Sequence, residues 1–328
     1  MHIDVGIWAM IGFVFAAYAV VGNDALQTLG TFINSNQKLP WWALFLFAAV
    51  VLVVTFAFGY ILFDGDPSWG RLSDPEKYPV FEAQWYHVLP PLALLILTRF
   101  GIPVSTTFMV LSIFASMAGM TSMIQKSLFA YVVSFVVGLG LYALLAPTIE
   151  RYFLRTPEKA QKPIWILLQW TTTAYLWGVW LIQDLANIFV FLPRDLSLWQ
   201  AVAAVMVILA LLLVTFANNG GPVQKILRSK TSVTDIRSAT IIDFTYASLL
   251  AYFAYVSKTP MSTTWAFIGF IAGREIAIAT IDKVRPAGET LRIVAMDALK
   301  VFVGLVISVG LAVGLPRLAA SMAAAAGG

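Results

Sequence analysis

Ten apolar stretches, most of them near bilayer-crossing length, follow one another along this chain with short polar segments between them. Hydrocarbon offers no partner for backbone N–H and C=O groups, so stretches of about 20 apolar residues must satisfy themselves as helices. The first half carries Ile3 to Val21, Trp41 to Leu62, Val80 to Leu97, Val104 to Ile124 and Leu128 to Leu145. The second carries Ile164 to Ile182, Leu198 to Phe216, Ile241 to Val256, the shorter Met261 to Ala272, and Ile293 to Leu315. A hydrophobic content of 60% against 12% charged residues and a mean hydropathy of +0.83 leave no soluble alternative. The first stretch lacks a basic leader and is longer and more aromatic than a signal peptide, so it is expected to be retained as a span.

Charge sets the expected orientation. Residues 149–163 carry Arg151, Arg155, Lys159 and Lys162; 218–240 carry Lys225, Arg228, Lys230 and Arg237; 273–292 carry Arg274, Lys283, Arg285 and Arg292. These basic loops are expected on the cytoplasmic face, and the acidic loop 63–78, with Asp64, Asp66, Asp74 and Glu76, on the outer one. Five spans per half satisfy every loop and put both termini outside. Because five is odd, the second half enters the bilayer inverted relative to the first.

Two phrases occur twice, in the same order. Asn23-Asp24-Ala25-Leu26-Gln27 is echoed by Gln183-Asp184-Leu185-Ala186-Asn187, and Pro103-Val104-Ser105-Thr106-Thr107 by Pro260-Met261-Ser262-Thr263-Thr264. The Asp copies stand 160 positions apart and the Pro copies 157, as duplicated halves require. The expected fold is therefore an all-α polytopic membrane protein of two inverted-topology repeats. Each has about five spans, with broken or half helices at a midplane site. Residues 1–148 form the first repeat, 149–163 a basic linker and 164–328 the second repeat.

An aspartate inside an apolar span costs about 2.5–3.5 kcal/mol on insertion scales, so such carboxylates tend to be paired and functional. Asp24 and Asp184 each have carboxamides one residue before and three after, which a helical turn gathers on one patch. Carboxylate and amide oxygens are hard ligands suited to Na⁺, and an aspartate alone suits a proton. Asn23, Asp24, Gln27, Gln183, Asp184 and Asn187 are accordingly the expected cation-binding set, with Asp24 and Asp184 as the sodium ligands. Gly22 favours a helix break there; capping of a surface helix by either Asp is the competing reading. Each Pro-x-Ser-Thr-Thr starts a helix within the membrane, where Pro needs no N–H. Free N–H groups, the positive helix pole and three hydroxyls make an anion cradle without Lys or Arg. Ser105, Thr106, Thr107, Ser262, Thr263 and Thr264 are the expected oxyanion-binding residues; close helix packing by small residues is the plainer alternative. Arg99 and Lys258 read as interfacial anchors, Glu275 and Asp282 as loop charges, Asp297 with Lys300 as an i,i+3 pair, and 218–222 as a turn.

These motifs resemble the PiT family of inorganic phosphate transporters, whose halves each carry a Gly-x-Asn-Asp-x-x-Asn type signature followed by Pro-Val-Ser-Thr-Thr-His. Gly22-Asn23-Asp24 and Gly101 to Thr107 are similar to the first pair, Gln183 to Asn187 and Pro260 to Thr264 to the second. Gln27 and Gln183 stand where the family has Asn, Phe108 and Trp265 where it usually has His, and Ser112 replaces a glycine that Gly269 retains. The resemblance implies cation-coupled symport of inorganic phosphate, with Na⁺ or a proton as coupling ion and no other cofactor. Sulfate, carried by some relatives, and an uncoupled anion channel or exchanger on the same fold are the alternatives. Expected partners are the oxyanion, the coupling ion, the lipid bilayer of the plasma or inner membrane, and a second copy of the chain in a homodimer.

Other classes find little support in the residues. Zero cysteines exclude disulfides and thiolate metal sites, and two histidines argue against a His-rich metal centre. No nucleophile–base pair or nucleotide loop points to an enzyme, and topology alone accounts for the basic loops without nucleic acid.

Overall fold

The computed structural model of the chain describes residues 6–80, 82–99, 104–145, 148–149, 151–156, 159–160, 162–218, 235–281 and 286–326. All the regular elements among these residues are helices. Helix α1 (Ile7–Ala19) runs through a π-helical turn, Val20–Asp24, into α2 (Ala25–Ser35). There follow α3 (Trp41–Leu62), the short α4 (Leu89–Arg99), a compact turn made of π-helix Thr107–Leu111 and 3₁₀ helix Ser112–Phe114, and α5 (Met117–Leu145). After the five-residue α6 (Arg151–Arg155) come α7 (Pro163–Phe189), α8 (Leu198–Ala217), α9 (Ile236–Val256), α10 (Thr263–Ile281) and α11 (Ala287–Ala326).

Among the described residues seven helices are long and apolar enough to cross a membrane. Their outer faces stay apolar where they meet no protein: Ile61, Leu144 and Trp199 are more than 70% exposed. A soluble protein would not present such a belt, and a bilayer covers it.

Two of the first-half apolar stretches, Val80 to Leu97 and Val104 to Ile124, are not single spanning helices. Residues 82–84 are not helical, and the helical stretch from Trp85 is too short to cross. Pro90 and Pro91 open this segment, where missing N–H groups are harmless only in a first turn. Val104 to Ile124 is not one span either. The chain turns extended at Ala115, and Ser116 accepts a hydrogen bond from the Gly119 N–H at 3.1 Å, starting α5 as a new 29-residue helix. In the second half the Met261 stretch, expected to be short, becomes the 19-residue α10. Gly22 does not break its helix; the chain widens into the π turn and continues, so 25–34 extends the first rod. The turn at 219–222 lies outside the described residues, whereas Asp297 and Lys300 pair at 3.8 Å as expected.

Small residues set the closest packing. Gly138 on α5 meets the Phe270 backbone of α10, and Gly269 and Gly273 meet the carbonyls of Tyr131 and Phe135, so a Cβ at any of the three would collide with main chain. Such contacts let two membrane helices approach without a hydrophobic driving force. Helix α7 packs along α9 as α1 packs along α4, and α11 lies against the 107–114 turn as α10 lies against α5. Helices α3 and α8 face each other, and α7 ties to α3 where the Trp177 indole donates to the Ala48 carbonyl at 3.1 Å. This scaffold holds both Asp motifs and both Ser-Thr-Thr segments in its interior.

Candidate functional site

Asp24 ends the π turn and Asp184 sits near the C-terminal end of α7, and both carboxylates are fully buried. π-Helical turns recur at functional positions because they re-aim side chains while leaving the helix intact. Neither Asp caps a surface helix: Asp24 makes no cap hydrogen bond, and α7 continues past Asp184 to Phe189.

Each carboxylate meets a threonine of its own half. Thr263 stands at 3.3 and 3.2 Å from the two oxygens of Asp184, and its hydroxyl donates to them. Thr106, the matching residue, lies beside Asp24 without completing a hydrogen bond; Thr106 Oγ1 and Asp24 Oδ2 both lack partners. Asn23 Nδ2 donates to the other oxygen of Asp24 at 2.7 Å.

Asn187 and Thr107 join the halves. Asn187 Nδ2 donates to Asp184 at 3.2 Å and to Thr107 Oγ1 at 3.3 Å, and Thr107 in turn donates to the Met261 carbonyl at 3.0 Å. Gln183 Nε2 donates to the Leu250 carbonyl of α9 at 3.3 Å. The carbonyl oxygens of Gln183 and Asn187 remain without partners. A buried oxygen with no donor costs about 1–3 kcal/mol, so four such atoms, with Asp24 Oδ2 and Thr106 Oγ1, are an unusual concentration in one region. Hard oxygens held dry and unpaired are what a Na⁺ ion or a proton satisfies.

The serines have a second task. Ser105 accepts from the Phe108 N–H at 3.2 Å and Ser262 from the Trp265 N–H at 3.0 Å, so each hydroxyl caps its own helical turn. Thr264 is buried beside them, the Gln27 side chain and Pro103 lie outside the described residues, and Tyr246 donates to the Thr263 carbonyl at 3.0 Å. Phe108 and Trp265, which stand in equivalent positions of the two motifs, pack edge to face with ring centroids 5.2 Å apart. The two Ser-Thr-Thr segments therefore meet at one point.

One charged residue escapes sequence reasoning. Arg71, which the sequence presents only as a minority charge in the acidic 63–78 loop, is 3% exposed. Its Nε donates to the Ile182 carbonyl of α7 at 2.6 Å and a terminal nitrogen to the Lys258 carbonyl at 3.3 Å. The loop folds inward because Asp66 accepts from the N–H groups of Ser68 and Gly70, at 2.8 and 3.2 Å, while Asp64, Gly65, Trp69 and Gly70 take positive φ. That Asx-turn chemistry, readable in Gly65-Asp66-Pro67-Ser68-Trp69-Gly70, is the signal that marks the segment as structured. Lys258, expected as an interfacial anchor, is exposed and sets its ammonium 4.9 Å over the Phe63 ring.

The class this architecture defines is the polytopic all-α membrane protein with a buried, two-carboxylate polar centre. Among solved structures the chain has the fold of one titled "The sodium-dependent phosphate transporter", with a TM-score of 0.63, 13% identity, and coverage of 95% of this chain and 98% of that one. No protein-family profile matches the chain, and no curated protein matches it.

Proposed function

We propose that the chain is a cation-coupled secondary transporter of inorganic phosphate. Two inverted halves, 1–148 and 164–328, rock about the central cluster and expose it alternately to either side. The observation that carries this reading is the convergence of two duplicated motifs, four copies in all, on one buried region, where Thr106 and Thr263 face Asp24 and Asp184 and Phe108 meets Trp265. A fold shared with a sodium-dependent phosphate transporter supports it.

In this reading Asn23, Asp24, Gln27, Gln183, Asp184 and Asn187 form the cation region, and Ser105, Thr106, Thr107, Ser262, Thr263 and Thr264 the oxyanion region. Both regions share the threonines. A cation that satisfies an aspartate oxygen frees the neighbouring hydroxyl to donate to an oxyanion, so binding of one prepares binding of the other. The cation also offsets the anion's charge in a low-dielectric interior. The Phe108–Trp265 contact favours a second substrate, sulfate, because no titratable ring stands at that point to meet a protonated anion.

Labelled phosphate uptake into liposomes under an imposed Na⁺ or proton gradient tests the proposal, with sulfate and arsenate as competitors. Accumulation above the downhill level is expected. Downhill flux alone identifies an uncoupled channel, and unchanged coupled uptake in the Asp24→Asn, Asp184→Asn double variant removes the ion-site assignment.

A further inference from the structure

Away from the central cluster, α5, α9 and α10 leave between them a cleft of about 410 Å³ of empty space, part of it open to the surroundings. It lies at the end of the bundle where α5 finishes and α9 begins, beside the basic segments 149–163 and 273–292. Its walls are apolar: Leu141 and Leu145 of α5, Ile241 and Ile242 of α9, and Phe270 of α10. Towards the membrane interior it closes where Gly138 lets α5 touch the Phe270 backbone. The polar lining residues are Ser238, Tyr142 and Arg274.

Two arginines are buried at this end, and their company differs. Arg237 donates to Asp235 at 3.0 and 2.7 Å, to the Phe153 carbonyl at 2.7 Å and to the Thr156 hydroxyl at 3.0 Å. Arg274 is 8% exposed, yet it makes no hydrogen bond among the described residues. Its chain neighbour Glu275 stands 3.6 Å away in a loose ion pair, and the Tyr142 ring lies 5.6 Å from the guanidinium. A guanidinium carries five N–H donors in a planar fork that suits carboxylate and phosphate oxygens. Holding it out of water without acceptors is costly, so the position favours an anion with several oxygens.

We propose that this cleft binds one anionic phospholipid, with its phosphate on Arg274 and an acyl chain between α5, α9 and α10. Arg274 stands seven residues, about 10 Å, before the end of α10, the depth at which headgroups give way to hydrocarbon. A free oxyanion would meet one cation and otherwise apolar walls. A lipid matches both, because its charge meets the guanidinium and its chain covers the leucines and isoleucines. Helix α9 packs along α7, which carries Asp184, and α10, which carries Thr263, packs on α5. The lipid therefore bridges the two helix pairs that hold the second copies of the motifs.

The full chain in detergent, titrated with dioleoylphosphatidylglycerol or dioleoylphosphatidylcholine, tests this by native mass spectrometry and by melting temperature, neither of which depends on transport. One phosphatidylglycerol per chain is expected to be retained, with melting roughly 3 °C or more above that in phosphatidylcholine. Arg274→Gln removes the charge and Leu141→Trp fills the cleft without touching it. Each is expected to weaken retention of phosphatidylglycerol about tenfold, whereas Arg274→Lys stays within about threefold. Equal retention of the two lipids by the wild type overturns the proposal, and so does a preference for phosphatidylglycerol that survives both substitutions, which would be attraction to the basic surface alone. Inorganic phosphate or glycerol 3-phosphate giving the same shift as phosphatidylglycerol overturns it in favour of a free oxyanion. Where one variant fails to melt cooperatively in phosphatidylcholine, the other variant and the wild-type comparison decide.

Discussion

Asp24 and Asp184 occupy equivalent places in two copies of one motif, yet their surroundings have diverged. In the second half the supporting elements are uninterrupted α-helices, and the carboxylate accepts from Thr263 and Asn187. In the first half the chain winds into π-helix at Val20–Asp24 and again at Thr107–Leu111, and one Asp24 oxygen and the Thr106 hydroxyl face no partner. In the first copy the orphan oxygens are the carboxylate and threonine themselves, whereas in the second they are the flanking amide oxygens of Gln183 and Asn187. The copies thus differ in how far the protein satisfies the carboxylate itself, and a carboxylate already bonded by its own fold has less free energy left to offer a ligand.

Exchanging the charges breaks this comparison most directly. Asp184→Asn weakens the charge-assisted bonds that Thr263 and Asn187 donate to it, and a loss of about 3 kcal/mol is expected in thermal or denaturant unfolding of the detergent-purified protein. Asp24→Asn removes a buried carboxylate with an unpartnered oxygen, so its melting temperature stays level or rises while gradient-driven uptake disappears. Equal stability in the two variants would show that the copies are energetically alike.

The threonines repeat the contrast at smaller amplitude. Thr263→Val strips both Asp184 oxygens of a charge-assisted bond and is expected to cost about 2 kcal/mol. Thr106→Val loses no hydrogen bond made in this state, so unfolding shifts little, and the effect falls on the apparent affinity for phosphate. A matching stability loss in Thr106→Val would mean that its hydroxyl is engaged as Thr263's is.

How far the sequence reaches follows the same division. The duplicated phrases are local strings, and their spacing alone brings out the repeated Asp and Ser-Thr-Thr residues that the structure buries together. What the helices do between them is less legible: Pro90, Pro91 and Ser116 carry the signals for a short helix and a new start, yet hydropathy averages over them and reads full spans. Phe108 against Trp265 is a contact between residues 157 positions apart, visible from sequence only as a shared departure from the family pattern. Arg71 is harder still. Its burial depends on a loop folding inward through Asp66 and the positive-φ run, and on carbonyls of α7 and the 257–259 segment that no local pattern connects to it.

The amides give the finest test of the comparison. Asn187 donates to both Asp184 and Thr107 and so bridges the halves, whereas Asn23 donates only to its neighbour Asp24. Asn187→Ala should therefore cost about 2 kcal/mol and Asn23→Ala about 1 kcal/mol or less, since a net hydrogen bond to a carboxylate is worth more when a second acceptor is stranded with it. Transport should invert the order. Asn23 orients the one carboxylate left incomplete, so Asn23→Ala is expected to raise the Na⁺ or proton concentration needed for half-maximal uptake by roughly tenfold, about 1.4 kcal/mol of cation affinity. Asn187→Ala, acting on a carboxylate already saturated, should leave that concentration within about twofold. Were Asn187→Ala instead to shift it as far as Asn23→Ala, Asp184 would be holding a cation after all, and the two copies would have to be read as two ion sites of equal standing.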